Sequence, residues 1–364
     1  MSAEAIAGDV PQTAAAVSGA PAGRGALRRV AVMGAGSWGT TFAKVLGDAA
    51  ASHDAERIIR VWGRSPEVVA DIAGHRNTKY LDDAVLPECI TATTDPAEAL
   101  EGAQLVVLAV PAQSLRGQLA AWGAHVPRDA VVLSLMKGLE IGTDKTMSEV
   151  IAELTGLPRR QIAVLSGPNL AMEIARSQPT GAVVACSDHE TAQWIAESST
   201  APYFRPYMST DVIGVEIGGI VKNVIALAVG MCEGKEMGDN TKATVITRGL
   251  AETTRLAIAL GGDLTTMSGL AGLGDLVATC SSKLSRNHTA GRLLGQGLSV
   301  DEVGERMTQT AEGIKSAAVV LELAKRHGVD MPITAGVVAV LRGQLPVDQL
   351  EPLLLARQLK SEGD

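Results

Sequence analysis

RRVAVMGAGSWG, residues 28–39, decides the fold. Val30, Ala31 and Val32 make a short apolar run suited to a buried strand. The chain passes straight from it into Gly34-Ala35-Gly36-Ser37-Trp38-Gly39, and a helical pattern follows from Thr40 to about Ala51. Strand, glycine turn and helix form the context in which a GxGxxG turn takes a dinucleotide. Gly34 allows the tight turn, Gly36 lets the backbone approach a pyrophosphate, and Gly39 lets the helix pack on the strand. The helix N-terminus turns partial positive charge toward the phosphates.

Working outward, apolar runs at Ile58 to Trp62, Leu105 to Val110, Ala130 to Leu135, Gln161 to Leu165 and Thr180 to Cys186 read as further strands, with a short helix from Glu67 to Gly74. The alternation predicts βαβ units and a parallel sheet covered on both faces. After Val212 long helical patterns take over: Val212 to Met231, Lys242 to Leu260, Glu312 to Arg326, Thr334 to Leu341 and Val347 to Leu359. The expected class is α/β, with a Rossmann-type dinucleotide-binding domain over 28–208 and an all-helical substrate-binding domain over 209–364. Residues 1–27, rich in Ala, Gly, Pro and Ser, read as a disordered tail. Glu4 and Asp9 precede its apolar run and Arg24 follows it, the reverse of a secretory signal. Val212 to Met231 is long enough to cross a bilayer, but Glu216, Lys222 and Asn223 are costly in lipid, so a buried helix is expected and no membrane span.

Composition narrows the partners. The 364 residues carry a net charge of −8, opposite in sign to a chain that neutralises nucleic-acid phosphates, and aromatics for base stacking are only 2%. Cys89, Cys186, Cys232 and Cys280 lie too far apart in sequence for zinc-knuckle pairs and read as buried thiols of a reducing, cytoplasmic compartment. The six histidines are scattered and suggest neither a triad nor a metal site.

The second strand ends at Trp62-Gly63-Arg64. An acidic residue there would take a ribose 2′-hydroxyl, whereas Arg64 suits a 2′-phosphate, so NADPH is expected with NADH as a second cofactor. Lys137 lies just past a strand end, where ligands sit in open α/β sheets. Lys222 and Asn223 interrupt the otherwise apolar Gly218-Gly219-Ile220-Val221-Lys222-Asn223-Val224. A lysine so buried must be paired, with Glu216 or Asp275, or functional, and burial fits an ammonium group for proton transfer. Gly218 and Gly219 leave a face open to close packing. In Gly269 to Cys280 the glycines permit close approach and Asp275 can hold Lys222. Ser285 reads as a helix N-cap, with Arg286 and Asn287 offering a phosphate site.

Taken together, GAGSWGT from Gly34, MKGLE around Lys137, LSGPNLA from Leu165, GVEIGGIVKNVIALAVG from Gly214, GLAGLGDLVATC from Gly269, SRN at Ser285 and AEG at Ala311 resemble the bacterial NAD(P)-dependent glycerol-3-phosphate dehydrogenases over Arg28 to Leu359. The resemblance implies reversible reduction of dihydroxyacetone phosphate to sn-glycerol 3-phosphate, a precursor of phospholipids, and a small phosphorylated substrate as the partner. A homodimer is compatible with the apolar helices. It implies that Lys222 is the proton donor and acceptor, oriented by Asp275, with Asn223 helping to position substrate. Gly34, Gly36, Ser37, Trp38, Gly39, Arg64, Tyr80, Lys137, Ala171, Arg286 and Glu312 fall where the cofactor is held. Lys137, Gly167, Asn169, Lys222, Asp275, Ser285, Arg286 and Asn287 fall where the substrate is held. Asn169 departs from the Ser or Thr common in the family but still donates and accepts. A related hydroxy-acid oxidoreductase and a non-catalytic NADP-binding regulator remain as alternative readings.

Overall fold

The structure is a computed structural model and describes residues 24–307 and 311–350. The first half is built on eight strands: β1 Arg29–Met33, β2 Ile58–Trp62, β3 Ile90–Thr93, β4 Leu105–Leu108, β5 Val131–Ser134, β6 Ile162–Ser166, β7 Thr180–Cys186 and β8 Phe204–Ser209. They lie in the order β3-β2-β1-β4-β5-β6-β7-β8. The chain reverses its direction of travel across the sheet between β1 and β4, which opens a crevice at their carboxyl ends.

Alternation along β1 explains the two covered faces. Val30 and Val32 join one core with Phe42 and Leu46 of the helix Ser37–Ser52. Ala31 and Met33 point to the other, with Trp62, Leu115 and Trp122. Strand residues buried on both faces are what a covered parallel sheet requires.

The expected all-parallel sheet needs one correction: β6 and β7 pair antiparallel, Val164 opposite Ala185, and β8 then runs parallel to β7. The connection, residues 167–179 with the short helix Ala171–Ala175, returns the chain alongside β6 in the opposite direction. Two strands also went unread. β3 is only ITAT, and β8, FRPYMS, carries an arginine and a proline that edge strands tolerate. The 208/209 line falls within the last two residues of β8. At the other end, residues 24–27 are held: Trp194 Nε1 donates to the Gly25 carbonyl at 3.1 Å, and Leu27 is buried in the sheet core. The tail expected over 1–27 therefore does not extend through residues 24–27; residues 1–23 lie outside the described residues.

The second half is helical around its own core. The helix Val212–Gly234 is its axis, buried from Gly214 through Cys232. It is long and apolar enough to cross a membrane, yet its most apolar stretch is 89% buried within the protein. The helix Arg286–Gly295 packs on it through glycines from both sides. A side chain at Gly230 or Gly291 would run into backbone of the facing helix, at His288 and Leu227. Asp239–Ala259, Glu312–Arg326 and Pro332–Leu341 complete the layer. The helix expected from Val347 begins as a short turn over Val347–Gln349, and residues 351–359 lie outside the described residues.

The halves interlock. Leu139, in the loop after β5, is fully buried in the helical core. Asp144 of the same loop pairs with Arg326. Glu216 accepts from the Ser148 N–H at 3.0 Å and the Ser148 hydroxyl at 2.6 Å, capping the helix Met147–Thr155 from across the boundary.

Candidate functional site

The site forms where the long helix crosses the carboxyl ends of the strands. Gly218 and Gly219 make the crossing possible. A Cβ on Gly218 would lie 2.6 Å from the Ala271 carbonyl oxygen, and one on Gly219 would lie 2.7 Å from Ser166 Oγ and 3.4 Å from the Lys137 side chain. The open face predicted for these glycines is thus filled by a protein turn and by the ends of β5 and β6.

Lys222, one turn further, is 8% exposed. Its Nζ donates to Asp275 Oδ1 at 2.7 Å and to Thr279 Oγ1 at 2.6 Å. Lys137 Nζ donates to Asp275 Oδ2 at 2.6 Å and to the Gly167 carbonyl at 3.1 Å. Asp275, 1% exposed, therefore bridges two lysines. It opens the helix Asp275–Ser281 immediately after a π-helical turn, Leu270–Gly274, a local widening that recurs at functional sites. Of the two partners considered for Lys222, Asp275 is the one it has, since Glu216 is engaged by Ser148.

Burial pushes the Lys137 ammonium down to about 8; Asp275 opposes the shift and Lys222 adds to it. Burial also raises the Glu312 carboxyl, against the attraction of Arg286, Lys222 and Lys137. Glu312, half-buried at the start of its helix, is thus close enough to feel all three cations. Asn223 Oδ1 accepts from Asn287 Nδ2 at 2.8 Å, and Asn287 Oδ1 accepts from the Gly313 N–H at 2.8 Å. Asn287 ties three helices, which leaves one of its amide hydrogens for a ligand. Ser285 Oγ accepts from the His288 N–H at 3.2 Å, the N-cap role read from sequence.

The glycine turn is built as its spacing predicts. Gly34 has φ +135°, and a Cβ there would sit 2.5 Å from the Ala109 carbonyl oxygen. A side chain on Gly39 would collide with the Gly34 carbonyl, so that glycine lets the helix close on the turn. At Gly36 a Cβ would meet no heavy atom within 4 Å, and as N-cap Gly36 makes no side-chain bond to the first helical N–H groups. Those donors are free for phosphate oxygens.

Residues 29–192 match the family described as NAD-dependent glycerol-3-phosphate dehydrogenase N-terminus, and residues 211–351 match its C-terminus. The chain belongs to the NAD-dependent glycerol-3-phosphate dehydrogenase family. A glycerol-3-phosphate dehydrogenase [NAD(P)+] of Thermobifida fusca is 57% identical over 337 residues, covering 92% of this chain and 99% of the relative. One from Streptomyces griseus is 54% identical over 336 residues, covering 92% and 98%. Among solved structures, a glycerol-3-phosphate dehydrogenase from Coxiella burnetii is similar with a TM-score of 0.84 and 34% identity, over 91% of this chain and 99% of that one.

The residues present fit a nicotinamide dinucleotide. Besides the turn, Trp38 Nε1 and both amide atoms of Asn169 are buried with no hydrogen-bond partner among the described residues, as expected of groups whose partner is a ligand. Arg64 stands exposed past the end of β2, three strand positions from β5 and Lys137. Tyr80 packs half-buried on the sheet core, with the Lys79 ammonium 5.6 Å from its ring centroid. The Ala171 carbonyl accepts from Thr41 Oγ1 at 3.3 Å, which ties the Ser166–Ala171 loop to the first helix. The cluster around Lys222 also contains Thr279, which was not among the residues expected there. The signal was present: Thr279 lies four residues beyond Asp275, on the same helix face.

Proposed function

We propose that Lys222 is the acid/base of the family's reaction, the NAD(P)H-dependent, reversible reduction of dihydroxyacetone phosphate to sn-glycerol 3-phosphate. One observation supports this most: Lys222 Nζ has two fixed partners, Asp275 and Thr279. An ammonium group has three hydrogens, so one is left for the substrate oxygen. When bound, the reduced dinucleotide supplies hydride to C2 of the ketone. Lys222 hydrogen-bonds the C2 oxygen and protonates it as negative charge develops there. Asp275 holds Lys222 on its trajectory and compensates the positive charge that arrives with both lysines. In the reverse direction neutral Lys222 accepts the hydroxyl proton.

Arg286 and Asn287, at the start of the helix Arg286–Gly295, take the substrate phosphate beside Ser285. Lys137, Gly167 and Asn169 line its other side, and Asn223 sets the position of Asn287. The glycine turn with Ser37 and Trp38 takes the pyrophosphate side of the cofactor, and Tyr80, Ala171 and Glu312 complete its walls. Arg64 takes a ribose 2′-phosphate and favours NADPH. We draw the dinucleotide-binding domain over 28–208 and the substrate-binding domain over 209–364.

NADPH oxidation measured with dihydroxyacetone phosphate, with unphosphorylated dihydroxyacetone and with keto-acid precursors tests the reading. Turnover confined to the phosphorylated ketone is expected; equal turnover of a keto acid overturns it. A KM for NADH below that for NADPH would remove the role given to Arg64.

Cys89, Cys186, Cys232 and Cys280 form no disulfide, which fits the cytoplasm. Exposed Tyr207 and Met208 on the edge strand β8, beside a shallow cavity also lined by Thr265 and Leu270, fit a homodimer face, checked by sedimentation of the wild-type protein.

A further inference from the structure

The segment between the second and third strands holds a buried side chain that the reaction does not account for. Asn77 is 0% exposed. Its Nδ2 donates to the Ala35 carbonyl at 3.1 Å and to Thr40 Oγ1 at 2.8 Å. A carbonyl oxygen only accepts, so the amide nitrogen must face it. The two partners flank Gly36: Ala35 precedes it in the glycine turn, and Thr40 makes the first helical bond, from its N–H to the Gly36 carbonyl at 3.0 Å.

Local structure is arranged around this placement at some expense. Asn77 is the N-cap of the short helix Thr78–Leu81, where its side chain would ordinarily bond the helix backbone, yet it makes no such bond. Asp71 does so instead, accepting from the Thr78 N–H at 2.6 Å and the Thr78 hydroxyl at 2.9 Å. His75, two residues before, has φ +60°, a region non-glycine residues rarely adopt. Asn77 Oδ1 is buried without a partner among the described residues. A strained backbone and an orphaned acceptor persist where the surroundings over-determine them, and such features cluster at ligand sites.

We propose that Asn77 is a positioning residue for the dinucleotide: its amide clamps the glycine turn to the first turn of the helix, fixing the N–H groups on either side of Gly36 for the cofactor phosphates. This rests on the reading of the glycine turn as the phosphate site. The clamp does not touch the ligand, and it acts on cofactor binding rather than on the lysines beyond β5.

Asn77→Asp is nearly isosteric and removes the donor; Thr40→Val removes one of its two acceptors. NADPH binding to each protein is titrated by the fluorescence of the bound nucleotide, beside thermal melts and steady-state kinetics. Asn77→Asp is expected to raise the Kd for NADPH by about 10- to 100-fold, the scale of a misplaced binding group. Thr40→Val should raise it by less, and the KM for dihydroxyacetone phosphate at saturating NADPH should hold in both. A folded Asn77→Asp protein with wild-type Kd overturns the proposal. If Asn77→Asp does not fold, an unchanged Kd in Thr40→Val overturns it. A wild-type protein that binds no NADPH would instead overturn the reading of the turn itself.

Discussion

Asp275 and Lys222 are joined at 2.7 Å through one carboxylate oxygen, while the other oxygen holds Lys137 at 2.6 Å. A single buried carboxylate thus serves two cations, and its removal leaves both without a counter-charge. Asp275→Asn should lower kcat by about 10²- to 10⁴-fold, as should Lys222→Ala, the range for loss of a positioned proton donor. The double variant should be little worse than either single one, because the residues act as a unit. Additive losses in steady-state kinetics would separate their roles.

The alkaline limb of the pH profile should report Lys137. Burial lowers its ammonium to about 8, so the proton leaves as pH passes that value and a positive charge is lost from the substrate pocket. kcat/KM for ketone reduction is expected to fall above pH 8. In Lys137→Arg, which stays charged, the break should move upward even if the maximum rate is lower.

Glu252 gives a stability signature far from the chemistry. Its buried carboxylate accepts from the Ile333 N–H at 2.6 Å and the Thr334 N–H at 3.2 Å at the start of Pro332–Leu341, and burial raises it to about 7 from 4.5. Between those values the fold holds a proton that the unfolded chain has released, so this group's contribution to stability declines as pH rises from 4.5 through 7. Glu252→Gln should flatten the dependence of Tm on pH across that window. A slope equal to that of the wild type would remove Glu252 as its source.

Gly291→Ala should destabilise the protein by about 1–3 kcal/mol or more, the usual range for overpacking, because the new methyl meets the Leu227 backbone and not a side chain that can rotate away. Gly297→Ala tests a different cause: no atom lies within 4 Å, but φ is +95°. Thermal melts of the two variants would weigh collision against backbone strain.

Arg286→Ala should raise KM for dihydroxyacetone phosphate measured at saturating NADPH. An unchanged KM would take the phosphate away from Arg286.

What the sequence made legible was local. GAGSWG could be read because turn, close approach and helix packing are all set within six residues, and Ser285 because an N-cap acts three residues away. Lys222 stood out as a charge on a helix apolar all round. Orientation and convergence were harder. Nothing in TGAVVAC states that β7 runs against β6, since an apolar run reads the same in either direction, and ITAT is too short to register as a strand. The pairing of Lys137 with Asp275 spans 138 residues and needed the folded chain to be seen. Asn77 was invisible because its role is to bond another segment's backbone, which no spacing encodes.

The interlocking of the two halves has a consequence for how the enzyme is made. Leu139, Asp144 and Ser148 belong by sequence to the first half, yet each finds its partner in the second, in the helical core, at Arg326 and at Glu216. A ribosome that has released the first half has therefore made a sheet whose Lys137 loop lacks its anchorage. The glycine turn can mature early, but Lys137 and Lys222 are brought to one carboxylate only once Asp275 has been synthesised.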